Sequence, residues 1–316
     1  MTEIQITSGQ EKQRFDKFLK KYFKAASGGF LYKMLRKKNI TLNKKKADGS
    51  EILQAGDMIQ VFFSDETFFK MRGQEAVSSE YQKLLQVPHE LQVIYEDDLM
   101  LIVNKPSGML SQKASESDIS LNESILSYLI HEGLLSEETY AVFHPSVANR
   151  LDRNTSGIVL AGKTLAGQQF LSDILRDRSA KKIYHCIVRG KVEEEMHLKG
   201  YLLKDERSNQ VQIFSDETQD AKPIETAYRP LVVGPDATLL EVHLITGRSH
   251  QIRAHLASIG HPIAGDPKYG DMVWNKKLRQ DFSVRSQLLH AYSITLPDGR
   301  TFIADEPEIF SQIMRG

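Results

Sequence analysis

Asp152 stands in the run Arg150-Leu151-Asp152-Arg153-Asn154-Thr155-Ser156-Gly157, directly before the apolar stretch Ile158-Val159-Leu160-Ala161. Two arginines bracket one carboxylate, and neighbouring positive charge favours the ionised form of an acid. An aspartate in such a setting is either a structural ion pair or a group held charged for catalysis. Thr155, Ser156 and Gly157 suit a tight turn held by local hydrogen bonds. A second chemistry-bearing run is Thr246-Gly247-Arg248-Ser249-His250-Gln251-Ile252-Arg253-Ala254-His255-Leu256. There a glycine turn opens a helix whose first turns offer two arginines, two histidines and a glutamine. These groups can bind a phosphate or face the Asp152 loop, and a capped surface helix with solvated charges is the plainer reading. Spacing alone leaves these alternatives open.

Other conspicuous residues point away from cofactor chemistry. His250, His255 and His261 lack a supporting Cys, Asp or Glu ligand pattern, so no metal site is expected. Asn104-Lys105-Pro106-Ser107-Gly108 has no glycine-rich helix start after it and is not read as a nucleotide loop. The single cysteine, Cys186, cannot form an internal disulfide, and its place on a strand-like run suits the core better than a nucleophile. Trp274 is expected to pack in a surface insertion.

The elements that must position these residues follow from periodicity. Val93–Tyr95 and Leu99–Val103 read as strands separated by a turn at Glu96, Asp97 and Asp98. Leu121, Ile125, Tyr128 and Leu129 make one helix face, and Leu165–Leu175 is a further helix. Ile158–Ala161, Ile183–Val188, Thr226–Val233, Leu239–Ile245 and Leu288–Leu296 read as strands. Ser249–Ile259 is helical. Strand and helix do not alternate regularly, so the expected class is α+β with a mixed, mainly antiparallel sheet.

The front of the chain is different. Between Lys12 and Lys46 thirteen lysines and arginines face one acid, Asp16. The whole chain of 316 residues carries 41 basic and 41 acidic residues, so the remainder must cancel this block. A cationic block of this kind commonly meets a polyanion. It also carries a folded pattern: Phe15, Phe18, Leu19, Tyr22 and Phe23 recur at helical spacing, and Leu31, Met34 and Leu35 follow on a second helix. Ile40 and Leu42 alternate as in a short strand, Asp48-Gly49 and Ala55-Gly56-Asp57 are turns, and Ile59, Val61 and Phe63 close the unit. Three regions result: residues 1–64 as a small basic domain suited to nucleic acid, 65–90 as a polar linker, and 91–316 as a second domain that holds both chemistry-bearing runs. Charged residues at 26% and hydrophobic residues at 41% are ordinary globular usage. No apolar run approaches the ~20 residues of a membrane helix, and the first residues lack a signal-peptide stretch. A reducing cytoplasm and no membrane association are expected.

Two resemblances sharpen this reading. RFDKFLKKYF, LYKMLRKKNITLNKKK and LQAGDMIQV resemble the α-L RNA-binding domain named after ribosomal small-subunit protein S-four. That likeness implies phosphate contacts by Lys33, Arg36, Lys37, Lys38, Asn43 and Lys44, which supply affinity and salt dependence with little sequence information. VIYEDDLMLIVNKPSGML, NRLDRNTSGIVLAGKT, KKIYHCIVRG, TGRSHQIRAHLASIGHPIAGDPKYG and LLHAYSI resemble the RluA family of RNA pseudouridine synthases, in its branch acting on large-subunit ribosomal RNA. The resemblance implies the pseudouridine synthase fold and a cofactor-free isomerase that flips a uridine out of its stack. Asp152 falls on the family's catalytic aspartate, Tyr184 on its active-site tyrosine, and Arg253 on the arginine that pairs with the aspartate. Arg150 falls on the arginine that enters the RNA stack. Asn149 departs from the histidine the family often has before this run. The implied partner is 23S-type ribosomal RNA or a ribosome assembly intermediate, met by a monomer. Two rivals remain: an RNA-binding protein without chemistry, and an RNA N-glycosidase. The latter would want a second carboxylate, and the sequence shows none near Asp152.

Overall fold

A computed structural model of the chain describes residues 1–205, 208, 210–218 and 220–315, with the backbone alone used for residues 74–76. The basic front end builds β1 (Thr2–Gln5), α1 (Phe15–Tyr22), α2 (Gly28–Arg36), β2 (Ile40–Leu42), β3 (Lys45–Lys46) and β4 (Met58–Val61). Its sheet has the order β1-β4-β2-β3. The apolar stripe of α1 is buried along its length, with Phe15, Phe18, Leu19 and Phe23 at 0% exposure. Leu31, Met34 and Leu35 of α2 complete that core. β1 pairs antiparallel with β4.

Residues 65–90, expected to be a linker, are mostly helical instead. α3 (Asp65–Arg72) starts at Ser64, whose hydroxyl accepts the Thr67 N–H. α4 (Gln74–Leu84) follows after Gly73. Few apolar residues mark these helices, and while Phe69 stays exposed, others reach a core. Phe68 of α3 joins the front-end core, whereas Val77 and Leu84 of α4 join the core of the large sheet. The change of allegiance falls at Gly73.

The rest forms β5 (Val93–Glu96), β6 (Met100–Lys105), α5 (Leu121–His131), α6 (Glu137–Val142), β7 (Ser146–Val147), β8 (Ser156–Gly162), α7 (Leu165–Arg176), β9 (Lys181–Arg189), β10 (Met196–Asp205), β11 (Gln210–Phe214), β12 (Lys222–Val233), β13 (Ala237–Leu244), α8 (Gln251–Ser258), α9 (Met272–Phe282), β14 (Leu289–Thr295), β15 (Thr301–Ile303) and α10 (Ile309–Arg315). The strands make one 11-stranded sheet in the order β11-β10-β12-β13-β9-β14-β8-β6-β5, with β15 on β14 and β7 on β8. The α+β expectation holds: β14 and β8 run parallel, and the other ladders among the described residues run antiparallel. One face is covered by α4, α5 and α8, which pack with Leu101, Val103, Tyr184 and Val242. α7 covers Met100, Ile102, Ile158 and Leu160 on the other.

One close approach governs the centre. Gly157 sits beside Ala291 with φ +109°, and a Cβ there would lie 2.3 Å from the Ala291 carbonyl oxygen. Only glycine lets β8 run this close to β14.

Candidate active site

The loop carrying Asp152 is tied down residue by residue. On one side the Ser111 hydroxyl donates to the Leu151 carbonyl at 3.0 Å and accepts the Leu151 N–H at 3.0 Å. Beneath it the fully buried Lys105 ammonium donates to the carbonyls of Pro106 (3.0 Å), Met109 (2.8 Å) and Arg153 (3.0 Å). Burial lowers this lysine's pKa to about 8, against the opposing pull of the Asp152 charge. The Asn-Lys-Pro-Ser-Gly turn is therefore a strut for the loop, a role its composition did not reveal. The Thr155 N–H returns to the Asp152 carbonyl at 3.0 Å. Asn149, in place of the histidine the resembled family often has, bonds Ile158 O (3.2 Å) and Leu160 N (2.8 Å) and so fastens the loop to β8.

The cation that meets Asp152 comes from α8. Arg253 NH1 donates to Asp152 Oδ2 at 2.7 Å. Its remaining nitrogens form a fork on Asp266: Nε to Oδ2 at 2.7 Å and NH2 to Oδ1 at 2.9 Å. Asp266 Oδ1 also accepts the N–H groups of Lys268 and Tyr269. Burial opposes both charges. The hydrogen bond and charge of each partner outweigh it, so the guanidinium stays above its usual pKa and the Asp266 carboxyl below its own. The Tyr269 ring lies 5.3 Å from the guanidinium carbon and covers it from one side. Asp152 Oδ1 has no hydrogen-bond partner among the described residues and remains open to a reacting atom.

Tyr184 enters from β9. It faces Val242 on β13 and Ala291 on β14, and Ala291 in turn faces Gly157 on β8. The two positions in line with Tyr184 toward the Asp152 loop are thus small residues, and they let β9, β14 and β8 pack closely beneath it. Burial, and then the charge of Asp152, push the phenol pKa up, so the hydroxyl keeps its proton at neutral pH.

Several sequence expectations need correction. The arginines flanking Asp152 do not hold it: Arg150 and Arg153 are both exposed, and the ion pair is made by Arg253. The bidentate grip of Arg253 falls on Asp266, so Asp152 receives one bond. A second carboxylate does lie near Asp152, and it is Asp266. It is 1% exposed, and its oxygens already accept four hydrogen bonds, so it has no capacity left to protonate a leaving base or activate a water. The Gly-Asp-Pro-Lys-Tyr-Gly turn at 265–270 was the available signal for it. His250, from the run read as able to face the Asp152 loop, does so, with Nε2 at 3.9 Å from Asp152 Oδ2.

In the front end Lys33, Arg36, Lys37, Lys38 and Lys44 are all exposed. Asn43 is exposed too, but its amide already bonds Asp57 and the Met58 N–H at the β2–β3 turn. It is thus spent on the fold.

The fold resembles solved pseudouridine synthase domains. Human RNA Pseudouridylate Synthase Domain Containing 4 superposes with a TM-score of 0.56 over 76% of this chain and 96% of that chain, at 19% identity. Domain Containing 1 of the same human series gives 0.53 over 72% and 96%, at 20% identity. Residues 99–258 match the family model of RNA pseudouridylate synthase. The ribosomal large subunit pseudouridine synthase C of Haemophilus ducreyi is 33% identical over 297 residues, 94% of this chain and 88% of that relative. Its counterpart in Escherichia coli K12 is 33% identical over 298 residues, 92% of this chain and 87% of that relative. The chain belongs to the RNA pseudouridylate synthase family and is an RNA pseudouridine synthase. Among the described residues no helix is long and apolar enough to cross a membrane.

Proposed function

We infer that the protein converts uridines of large-subunit ribosomal RNA to pseudouridine in the cytoplasm, with Asp152 as the reacting carboxylate. The observation that carries this reading is the bond from Arg253 to Asp152 Oδ2, which leaves Oδ1 unpaired among the described residues, with Tyr184 close enough to feel the Asp152 charge. The reaction breaks the N1–C1′ bond, turns the uracil, joins C5 to C1′ and moves the C5 proton out as N1 gains one. Nothing is oxidised or reduced. Asp152 takes part as a nucleophile, or as the base that starts glycal formation. Both routes require an ionised carboxylate with one free oxygen. Tyr184 stacks on the uracil as a neutral phenol.

Arg150, exposed at the mouth of the site, enters the gap left by the flipped base. Residues 1–64 act as the small RNA-binding domain, with Lys33, Arg36, Lys37, Lys38 and Lys44 on phosphates and the chain working as a monomer. The large-subunit substrate rests on the names of the bacterial relatives, which match nearly the whole chain. The test is a pseudouridine map of ribosomal RNA from cells lacking the gene, complemented with wild type or Asp152→Asn. Sites that vanish on deletion should return with wild type and stay absent with the variant. Restoration by Asp152→Asn would remove the carboxylate from the chemistry.

A further inference from the structure

His250 has no part in the scheme above, yet its surroundings define it closely. Its backbone sits in the left-handed region at φ +55°, a conformation that costs free energy and persists where the surroundings enforce it. Its side chain is 9% exposed, and Nε2 lies 3.9 Å from Asp152 Oδ2. On the other side Nδ1 lies 2.9 Å from the Tyr269 hydroxyl, which accepts the Val211 N–H at 2.8 Å.

This chain assigns the proton. The Tyr269 oxygen already accepts from Val211, and among the described residues His250 Nδ1 is the acceptor within reach of its single hydrogen. Nδ1 therefore accepts and carries no hydrogen, so the neutral ring has its hydrogen on Nε2. Burial lowers the imidazole pKa, the Asp152 charge opposing, and the ring is neutral at neutral pH. An N–H donor is thus held facing a carboxylate oxygen across a gap too long for a hydrogen bond.

A single oxygen fits that gap if it accepts from Nε2 and donates to Oδ2, each leg about 2.8 Å. It must carry a hydrogen, which excludes the uracil carbonyls and the phosphate oxygens. Inside an RNA chain the 3′ and 5′ oxygens are esterified, so each nucleotide has one hydroxyl, the 2′-hydroxyl beside C1′. We propose that His250 binds the target nucleotide through its 2′-hydroxyl, which bridges Nε2 of His250 and Oδ2 of Asp152. Oδ2 is then occupied by Arg253 and the hydroxyl, and Oδ1 is the oxygen that reacts. The assignment rests on Asp152 being the reacting carboxylate.

The test is a cycle in protein and RNA. Asparagine tolerates the left-handed backbone, and its amide reaches the level of Nδ1, so His250→Asn keeps the contact with Tyr269 and loses only the outer N–H. Its kcat/KM is compared with wild type on a ribosomal RNA fragment that wild type converts. The same fragment is then used with 2′-deoxyuridine at the target. The expected result is a loss of about 10- to 100-fold on the ribose substrate and equal activity, within about twofold, on the deoxy substrate. An equal loss on both substrates, or no loss on the first, overturns the proposal. Where deoxy turnover is too slow to read, the ratio of affinities for the two RNAs serves the same comparison. Should His250→Asn fail to fold, His250→Gly, which suits the left-handed backbone, must show a loss confined to the ribose substrate. Asp152→Asn is run alongside, and its retained turnover would sink the underlying reading separately.

Discussion

Arg253 grips Asp266 with two nitrogens and offers the third to Asp152. The two carboxylates have different work. Asp266, buried and saturated with donors, fixes the plane of the guanidinium. That plane then fixes the direction from which NH1 meets Asp152. A point charge on a flexible stem cannot do both.

Arg253→Lys is accordingly expected to be severe. The ammonium can satisfy one carboxylate well, and Asp266 is the buried one, so Asp152 loses its orienting bond. Turnover should fall by at least about a hundredfold, while affinity for RNA, which depends on many cations, changes by no more than a few-fold. The buried pair is also broken in part, at a cost of up to about 3–5 kcal/mol, visible as a lower Tm. Equal turnover of the two proteins at a temperature where both are folded would show that the fork has no catalytic consequence.

Ser156 tests the other side of the loop. The Ser156 hydroxyl lies 2.9 Å from His290 Nδ1, and His290 Nε2 lies 2.9 Å from the Ala304 carbonyl. A carbonyl only accepts, so Nε2 carries the hydrogen and Nδ1 accepts from Ser156. Ser156→Ala leaves that buried nitrogen unpaired, at about 1–3 kcal/mol. It also frees the start of β8, four residues from Asp152. Thermal unfolding should show the cost, and kcat should fall with KM nearly unchanged. A fall in KM affinity alone would place the effect in RNA binding instead.

Much of this was legible in the chain, for reasons that also explain what was not. The α1 stripe and the runs of β6, β8 and β14 announce themselves because burial demands apolar residues at a fixed period. Asp152, Tyr184 and Arg253 could be picked out by type and by resemblance. Asp266 could not, because which carboxylate an arginine grips is decided by two loops meeting, and Arg150 and Arg153 were closer in sequence. α4 escaped notice since Val77, Tyr81 and Leu84 are too few to outweigh its polar residues, although they reach the large core. β10 and β11 lie at the sheet's outer edge, where one face stays polar.

Acid should weaken the fold through buried histidine. His255 is 3% exposed, bonded through Nδ1 to the Thr226 hydroxyl at 3.1 Å, and burial lowers its pKa from 6.5 to about 4. The unfolded chain binds the proton first, so the contribution to stability is complete above pH 6.5 and is lost as pH falls toward about 4. Between pH 7 and pH 5 this one group should account for about 2 kcal/mol. Urea unfolding at the two pH values measures it. His255→Gln should be less stable at pH 7 and should flatten the slope, and an unchanged slope would assign the acid sensitivity elsewhere.

The front end is best tested without cutting the chain. A truncation near residue 85 would remove Val77 and Leu84 from the core of the large sheet, and even a cut at Gly73 would uncover Val142, which packs into the front-end core. Charge removal avoids this. Lys33, Arg36, Lys37, Lys38 and Lys44 are exposed and form no ion pair among the described residues, so replacing all five by glutamine should leave the melting temperature nearly unchanged. If each meets a phosphate, the slope of log affinity against log salt should shrink by about 0.7–0.9 per residue lost. Turnover on a short, easily unstacked RNA should survive, because Asp152, Tyr184 and Arg253 are untouched. Modification of the natural site should suffer more if the front end docks there. The measurement is affinity for one ribosomal RNA fragment from low to moderate salt, for wild type and the five-fold variant. Parallel lines would reduce the cationic face to solvated surface, and RNA recognition would then have to be sought around Arg150 and α9.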